Sequence, residues 1–433
     1  MSSIDQKIST TQFVSEQLSK FAEKVNFIPD ADLIDALNYL EQKGIPNNKE
    51  EDYKYCNIEG IIKKEFKSID NNYNSIPADI ANKYKVFEGC INVFIVNGKF
   101  SPELSGLSSL PNGLKIAAIA NADKQVLTKH MAHYAKANSD GFIALNTAFG
   151  GNGVYIHVKE GTKIEQPVHI INLTSAAGNV FSNVRNLIVI ENKASLKLIE
   201  TFETTNLTGK SFTNHLTEIS VEENAVVDSY RIQNEGSRAY TVNTTQVQLS
   251  NNTDYTTGTY SFNGALIRNN LNTVIDAERA VAHLNGLFIA KENQLIDNHT
   301  LVDHQKPNCN SNELYKGIIT DKATAVFNGK IYVRKDAQKT NAYQSSKNIL
   351  LSDDGTINTK PQLEIYADDV KCSHGTSTGK IDEESLFYLK SRGIGETNAK
   401  RLLMHAFAGE VVEKIKIESV RNYVEELINA NLK

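Results

Sequence analysis

From about Leu145 to Cys372 the chain alternates short runs of apolar, β-branched and polar residues with turns built from Asn, Gly and acidic residues. This is the pattern of many short strands, and few helix-length apolar stripes interrupt it. A turn of the form acidic/polar, polar, Ala/Thr recurs in VKEGT, IENKA, VEENA, LSNNT, DAERA, ITDKA and SDDGT. Its closing residues are Thr162, Ala194, Ala225, Thr253, Ala280, Ala323 and Thr356, at separations of 32, 31, 28, 27, 43 and 33 residues. A repeat of that length holding several strands predicts a solenoid of β coils, with a β-sandwich as the competing architecture. The abundance of Asn suits stacked amide ladders, although compositional bias alone would also produce it. The long interval predicts an inserted loop around His299–Ser311.

The flanks read differently. Phe13, Leu18, Phe21 and Val25, then Leu33, Ala36, Leu37 and Leu40, recur at helical spacing before Pro46-Asn47-Asn48 breaks the pattern. Residues 50–140 are mixed, with a strand expected at Ile91–Val96 and a helix near Asp123–Ala137. Beyond Asp382, an N-cap candidate followed by Glu383 and Glu384, the tail carries apolar stripes through Leu386, Leu389, Leu402, Leu403, Phe407, Val420, Val424 and Ile428. The division expected is a helical and mixed region over 1–140, a β core over 141–378 and a helical tail over 379–433.

Composition narrows the function classes. The 433 residues carry a net charge of -5 with pI near 6.1, which disfavours nucleic acid as the main partner. No apolar run approaches the ~20 residues of a membrane span, and the start MSSIDQKISTTQF lacks a secretory pattern, so a cytoplasmic location is expected. Cys56, Cys90, Cys309 and Cys372 are scattered, read as free thiols and do not form a four-thiolate cluster site. There is neither a G-x-S-x-G elbow nor a P-loop, so ATP hydrolysis by this chain is not expected.

Two groups of residues carry possible metal chemistry. In KCSHG, Cys372 and His374 stand two apart, where a turn is expected to lead from a strand into the helical tail. At strand spacing they would share a face, and thiolate with imidazole suits iron. The competing reading is a buried thiol beside a histidine hydrogen-bonded at the helix start. His299, His304 and Cys309 are spaced five apart, with Asp297 and Asp303 nearby. Zinc would need the loop to fold back, and the preferred reading is polar support of that loop.

The runs YADDVKCSHG (366–375), IDEESLFYLKSRGI (381–394), FNGKIYVRKDAQKTNAYQSSKNILLSDD (327–354) and HTLVDHQKPNCNS (299–311), with a weaker one in ALNTAF (144–149), resemble the SufB/SufD family of the Suf iron-sulfur cluster assembly system. EDYKYCNI (51–58) resembles the family's N-terminal E-x-W-R-Y-T motif, with Tyr53 in place of Trp and Cys56 in place of Thr. CSHGTSTGKI and KSRGI fit the D-type branch better than the B-type, which tends toward H-E-A-x-x-S-K-I and Q-R-G-I. The resemblance implies a right-handed parallel β-helix core and a non-ATPase scaffold role. It further implies a transient iron-sulfur cluster shared with SufB through His374 and Cys372, and docking of the SufC ATPase on the tail, for which Arg392, Ile394 and Phe407 are the candidates. Flavin at the level of the complex stays open. A SufB-type paralogue is the near alternative, and a β-helix carbohydrate-active enzyme the distant one.

Overall fold

The computed structural model describes residues 27–66 and 76–432. The helical pattern through Phe13, Leu18, Phe21 and Val25 lies outside them. The centre is a parallel β-solenoid, as the turn repeat and the resemblance led us to expect. Strands β4 (Val154–Val158), β5 (Val168–Thr174), β6 (Val180–Ile190), β7 (Ser195–Thr204), β8 (Ser211–Val221), β9 (Val226–Asn234), β10 (Ala239–Leu249) and β11 (Asp254–Asn263) open an alternation between two sheets that continues to β19, and from β6 onward each strand stacks in parallel on the one two places earlier. Among the described residues, one sheet has ten strands in the order β19-β17-β15-β13-β11-β9-β7-β5-β1-β2, the other nine in the order β18-β16-β14-β12-β10-β8-β6-β4-β3. Each coil therefore contributes one strand to each wall, and inward residues stack column upon column. Typical strands are β13 (Val281–Ala290), β15 (Asn310–Ile319), β17 (Asn341–Leu350) and β19 (Lys371–Gly379) on one wall. On the other are β12 (Leu266–Ile275), β14 (Leu295–His304), β16 (Thr324–Val333) and β18 (Thr356–Ile365). Strands β1 (Ile91–Val96), β2 (Lys99–Ser101) and β3 (Leu114–Ala118), upstream of residue 141, extend both sheets at the N-terminal end.

One set of turns forms a continuous backbone ladder. Ser195, Val226, Asp254, Val281, Asn310 and Asn341 each donate N–H to the residue closing the previous turn, namely Thr162, Ala194, Ala225, Thr253, Ala280 and Cys309. The expected insertion at His299–Ser311 is absent. Cys309 follows Ala280 by 29 residues and occupies the same rung, while Ala323 and the turn before Thr356 belong to the opposite edge, between β15 and β16 and between β17 and β18. The 43-residue interval arose from counting across the two edges. Most turns on the first edge place one residue in the left-handed region just before the closing residue: Lys193, Asn224, Asn252, Arg279, Asn308 and Lys339, at φ of 59°, 59°, 55°, 58°, 63° and 57°. Asn tolerates that conformation better than most side chains, which accounts for part of the Asn excess. Amide ladders account for more. Inside the solenoid Gln233 donates to Asn269 at 3.0 Å and Asn269 to Asn298 at 3.0 Å, while at strand starts Asn341 donates to Asn310 at 2.9 Å.

Helices cover the outer faces. Helices α1 (Asp30–Gln42), α2 (Ile58–Glu65) and α5 (Gly141–Phe149) join Phe181, Phe212 and Val242 of the nine-stranded sheet in one apolar cluster. Between them in sequence lie the short α3 (Ala78–Asn82) and α4 (Lys124–His130). At the C-terminus, α7 (Glu396–Val412) and α8 (Glu418–Asn431) bury Met404, Ala408, Val411, Val420, Val424 and Ile428 against Ile199, Tyr230, Tyr260 and Leu287 of the ten-stranded sheet. Among the described residues, no helix is long and apolar enough to cross a membrane.

Candidate functional site

The two ends of the solenoid differ. At the N-terminal end β2 turns back antiparallel on β1, and β3 lies antiparallel on β4 (Val154–Val158). At the C-terminal end β18 and β19 are the outermost strands of their sheets. The segment Tyr366–Val370 is the turn between them. It is locked to the coil below by Tyr366 N–H to the Val333 carbonyl at 2.9 Å and Asp369 N–H to the Gln338 side-chain oxygen at 2.9 Å. The Cys-Ser-His-Gly run, expected as a turn, instead lies in the first half of β19, paired in register with Ala342–Ser345 of β17. The acidic YADDV segment already reverses the chain, and a further strand lies between that turn and the helical tail, whose start at Asp382 falls where expected.

Strand spacing puts Cys372 and His374 on the inward face of this last coil. Cys372 stacks on Ala342 and is half-buried beside Ile331, Val333, Ala337, Leu363 and Ala367. Burial pushes its thiol up from the ordinary value, opposed by a backbone hydrogen bond from Ala342. His374 stacks on Gln344 and is exposed, because among the described residues no further coil covers it. Beneath it Gln344 donates its Nε2–H to Glu313 Oε2 at 2.7 Å, and both are buried. Burial raises the Glu313 carboxyl to about 7, against hydrogen bonds from Thr300 and Gln344. Sequence reading missed Gln344 and Glu313. The available signal was their spacing from His374 by one and two coils.

The structure separates His299, His304 and Cys309. In β14, His299 points outward and His304 inward, since their spacing of five is odd in a strand. His304 is buried with Nε2 2.9 Å from Ser311 Oγ, and burial lowers its imidazole to about 4. Cys309 donates Sγ–H to the Ala277 carbonyl at 2.9 Å, much as the Thr253 and Thr340 hydroxyls bond carbonyls at 2.9 Å in equivalent turns. Among the described residues, no three His, Cys, Asp or Glu side chains gather so as to hold a metal ion. His299 serves another cluster, in which the N-terminal motif meets the solenoid. Its Nε2 lies 2.9 Å from Asp297 Oδ1, and Arg268 reaches Asp297 Oδ2 at 2.6 Å and the Asp52 carbonyl at 2.7 Å. The Arg268 guanidinium stacks 3.9 Å from the Tyr53 ring centre, and Tyr53 donates its hydroxyl to Asp140 Oδ2 at 2.7 Å. The other oxygen of Asp140 caps α5 by accepting from Phe142 N–H at 2.7 Å. Cys56 is buried beside this cluster, and burial raises its thiol well above the ordinary value.

In the tail, Asp382 caps α6 (Glu383–Ser391) as expected, accepting from Ser385 N–H at 2.9 Å, and Gly393 follows at φ 87°. Arg392 is exposed over the Tyr388 ring at 5.3 Å, and Ile394 is half-buried. Phe407 is turned toward its own solenoid: Lys316 Nζ sits 4.4 Å from its ring and donates to its carbonyl at 2.7 Å. The exposed apolar side chains nearby are Phe387 (73%), Tyr388 (56%) and Leu402 (49%), which the sequence reading did not single out as docking residues.

Two family models cover nearly the whole chain. One, the SUF system FeS cluster assembly SufBD core domain, matches residues 172–407, and the other, the SufBD protein N-terminal region, matches 16–170. The iron-sulfur cluster assembly protein SufD of Escherichia coli is 30% identical over 92% of this chain and 91% of its own. An iron-sulfur cluster assembly SufBD family protein of Synechocystis is 29% identical over 98% and 97%. The chloroplastic protein ABCI7 of Arabidopsis thaliana is 29% identical over 78% and 74%. With the solenoid, its open terminal coil and these matches together, the chain belongs to the SufBD family of iron-sulfur cluster assembly proteins.

Proposed function

We propose that this chain is a non-ATPase, D-type scaffold subunit on which iron-sulfur clusters form at an interface with SufB, while SufC supplies ATP hydrolysis from the tail. The observation that carries this reading is the asymmetry of the solenoid. Among the described residues, the N-terminal end is finished by short antiparallel strands, whereas the C-terminal end stops at two full-length parallel strands with unpaired outer edges, and one of them holds Cys372 and His374. An unpaired strand offers a row of backbone donors and acceptors to another strand. A second solenoid stacked there would extend the sheets and bring its own ligands to these two. Thiolate and imidazole then form half of a transient site whose iron and sulfide are cargo, and the partner completes the coordination.

In this reading residues 379–433 form the docking module. The exposed face of α6 and α7, with Phe387, Tyr388 and Leu402 beside the expected residues Arg392 and Ile394, receives SufC, while Phe407, the third expected residue, packs on its own solenoid and anchors α7. Closure of two SufC subunits would pull on the tails and reshape the interface. The test is co-expression of the tagged chain with SufB and SufC, native mass of the purified assembly, and anaerobic cluster reconstitution on it. The expected result is one SufB, two SufC and one copy of this chain, with cluster formation lost in His374→Ala. Recovery of the chain alone, or full cluster formation by His374→Ala, refutes the reading.

A further inference from the structure

Gln344 lies on β17 between two inward neighbours in register, Glu313 on β15 and His374 on β19. Its side chain reaches across the lumen toward β16. A Cβ placed on Gly329 would lie 2.3 Å from Gln344 Nε2, so this position requires glycine for the amide to fit. The hydrogen bond of Nε2 to Glu313 Oε2 at 2.7 Å fixes which end of the amide faces down the solenoid. The other end, Oε1, is buried and has no hydrogen-bond partner among the described residues. A buried acceptor left unsatisfied costs about 1–3 kcal/mol, so its persistence calls for a donor. The next inward residue above it is His374, one inter-strand spacing of about 4.8 Å away, and an imidazole carries the N–H that Oε1 lacks.

We propose that Gln344 is the positioning residue for His374. When a partner covers the last coil, His374 turns inward, donates one ring N–H to Gln344 Oε1 and presents its other nitrogen to iron. Glu313 holds the amide in the orientation that makes this possible. A ligating histidine characteristically donates its second nitrogen to an acceptor, which fixes its tautomer and ring plane. The inference rests on the reading of His374 as an iron ligand. It adds that the orientation of this ligand is set two coils deep, by residues that never touch the metal.

The experiment uses the purified complex with SufB and SufC and measures binding of ferrous iron alone, anaerobically, alongside the thermal midpoint of each variant. His374→Ala reports on the ligand reading, and Gln344→Leu and Gln344→Met both remove the acceptor. Gln344→Glu retains an acceptor beneath the imidazole. The expected pattern is loss of iron affinity by about 10–100-fold in Leu and Met, the range for losing such a partner, with Glu within a few-fold of the parent. The thermal midpoint should not fall in step with affinity. If His374→Ala binds iron normally, the ligand reading and the inference fall together. If His374→Ala loses iron while the Leu and Met variants bind it normally, only the inference falls. Equal weakening in Leu, Met and Glu would assign Gln344 to packing and also overturn it.

Discussion

Replacing Arg268 by Met tests how the N-terminal motif is fastened to the solenoid. The guanidinium is buried and donates to Asp297 at 2.6 Å, the Asp52 carbonyl at 2.7 Å and Asn270 at 3.1 Å while stacking on Tyr53. Met keeps most of the apolar stem but strands the Asp297 carboxylate, which retains His299 at 2.9 Å and the Cys56 thiol but no cation held permanently charged. Breaking a buried pair by removing one partner costs about 3–5 kcal/mol, and the lost stacking adds up to about 2. Burial alone would raise the Asp297 carboxyl; Arg268, then His299, hold it below its ordinary value. Without Arg268 that carboxyl rises and takes a proton, so the deficit shrinks as pH falls. Urea unfolding should therefore show a loss of about 4 kcal/mol at pH 8 and a smaller one at pH 5. In the double variant Arg268→Met with Asp297→Leu, at least about 2 kcal/mol should return, because no charge is left stranded. A loss under about 1 kcal/mol at pH 8, or losses that simply add, would refute the clamp.

Three further outcomes follow from the same geometry. Cys309→Thr should be nearly neutral and Cys309→Ala should cost about 1 kcal/mol in urea unfolding, since Thr and Ala close equivalent turns; a loss above about 3 would contradict the turn role. Glu235 is buried, its carboxyl raised to about 7 by burial, and it accepts a 2.7 Å hydrogen bond from Thr241 that Gln can also accept. The folded state thus holds a proton that the unfolded chain releases from about pH 4.5, and stability from this group falls as pH rises toward 7. Glu235→Gln should gain on the parent by about 3 kcal/mol between pH 4.5 and 8, at roughly 1.4 kcal/mol per pH unit, and a constant difference would refute this. Finally, Phe387→Glu with Leu402→Glu should lower SufC affinity at least about tenfold with an unchanged thermal midpoint. Phe407→Ala should instead lower the midpoint, because its ring packs against Lys316.

The solenoid was legible because each coil must turn twice, and the turns impose small closing residues at a repeating interval. Strand β1 and the Asp382 cap were equally legible, being local signals of apolar alternation and a side chain accepting from its own helix. What escaped was the identity of each turn's edge. Two edges share similar chemistry, so the series slid from Ala280 to Ala323 and made an insertion of an ordinary coil. That Cys372 and His374 share a face was legible because strand parity needs only two positions, although their run was expected as a turn and lies inside β19. The Gln344–Glu313 column was not, since it depends on exact register across three coils. Likewise Arg268 and Asp297 lie over two hundred residues from Tyr53 and meet it only through folding.

The state of the last coil follows from what lies one coil below. Ala325, Phe327, Gly329, Ile331 and Val333 on β16, and Ala342, Gln344, Ser346 and Asn348 on β17, are buried by the coil above them. Their counterparts on β18 are Ile357, Thr359, Pro361, Leu363 and Ile365, and on β19 Cys372, His374, Thr376 and Thr378. All of these are half-buried or exposed. The described residues thus build core positions that they do not themselves cover. Burying apolar surface contributes about 25 cal/mol per Å², so covering the aliphatic members of this coil favours association before any metal is bound. The two edges are not equivalent. Pro361 removes one backbone donor from β18, whereas β19 runs from Lys371 to Gly379 without proline. Strand addition is therefore less obstructed on the wall that carries Cys372 and His374. The same docking that completes the sheet would close the polar column beneath His374, coupling assembly of the scaffold to orientation of its ligand.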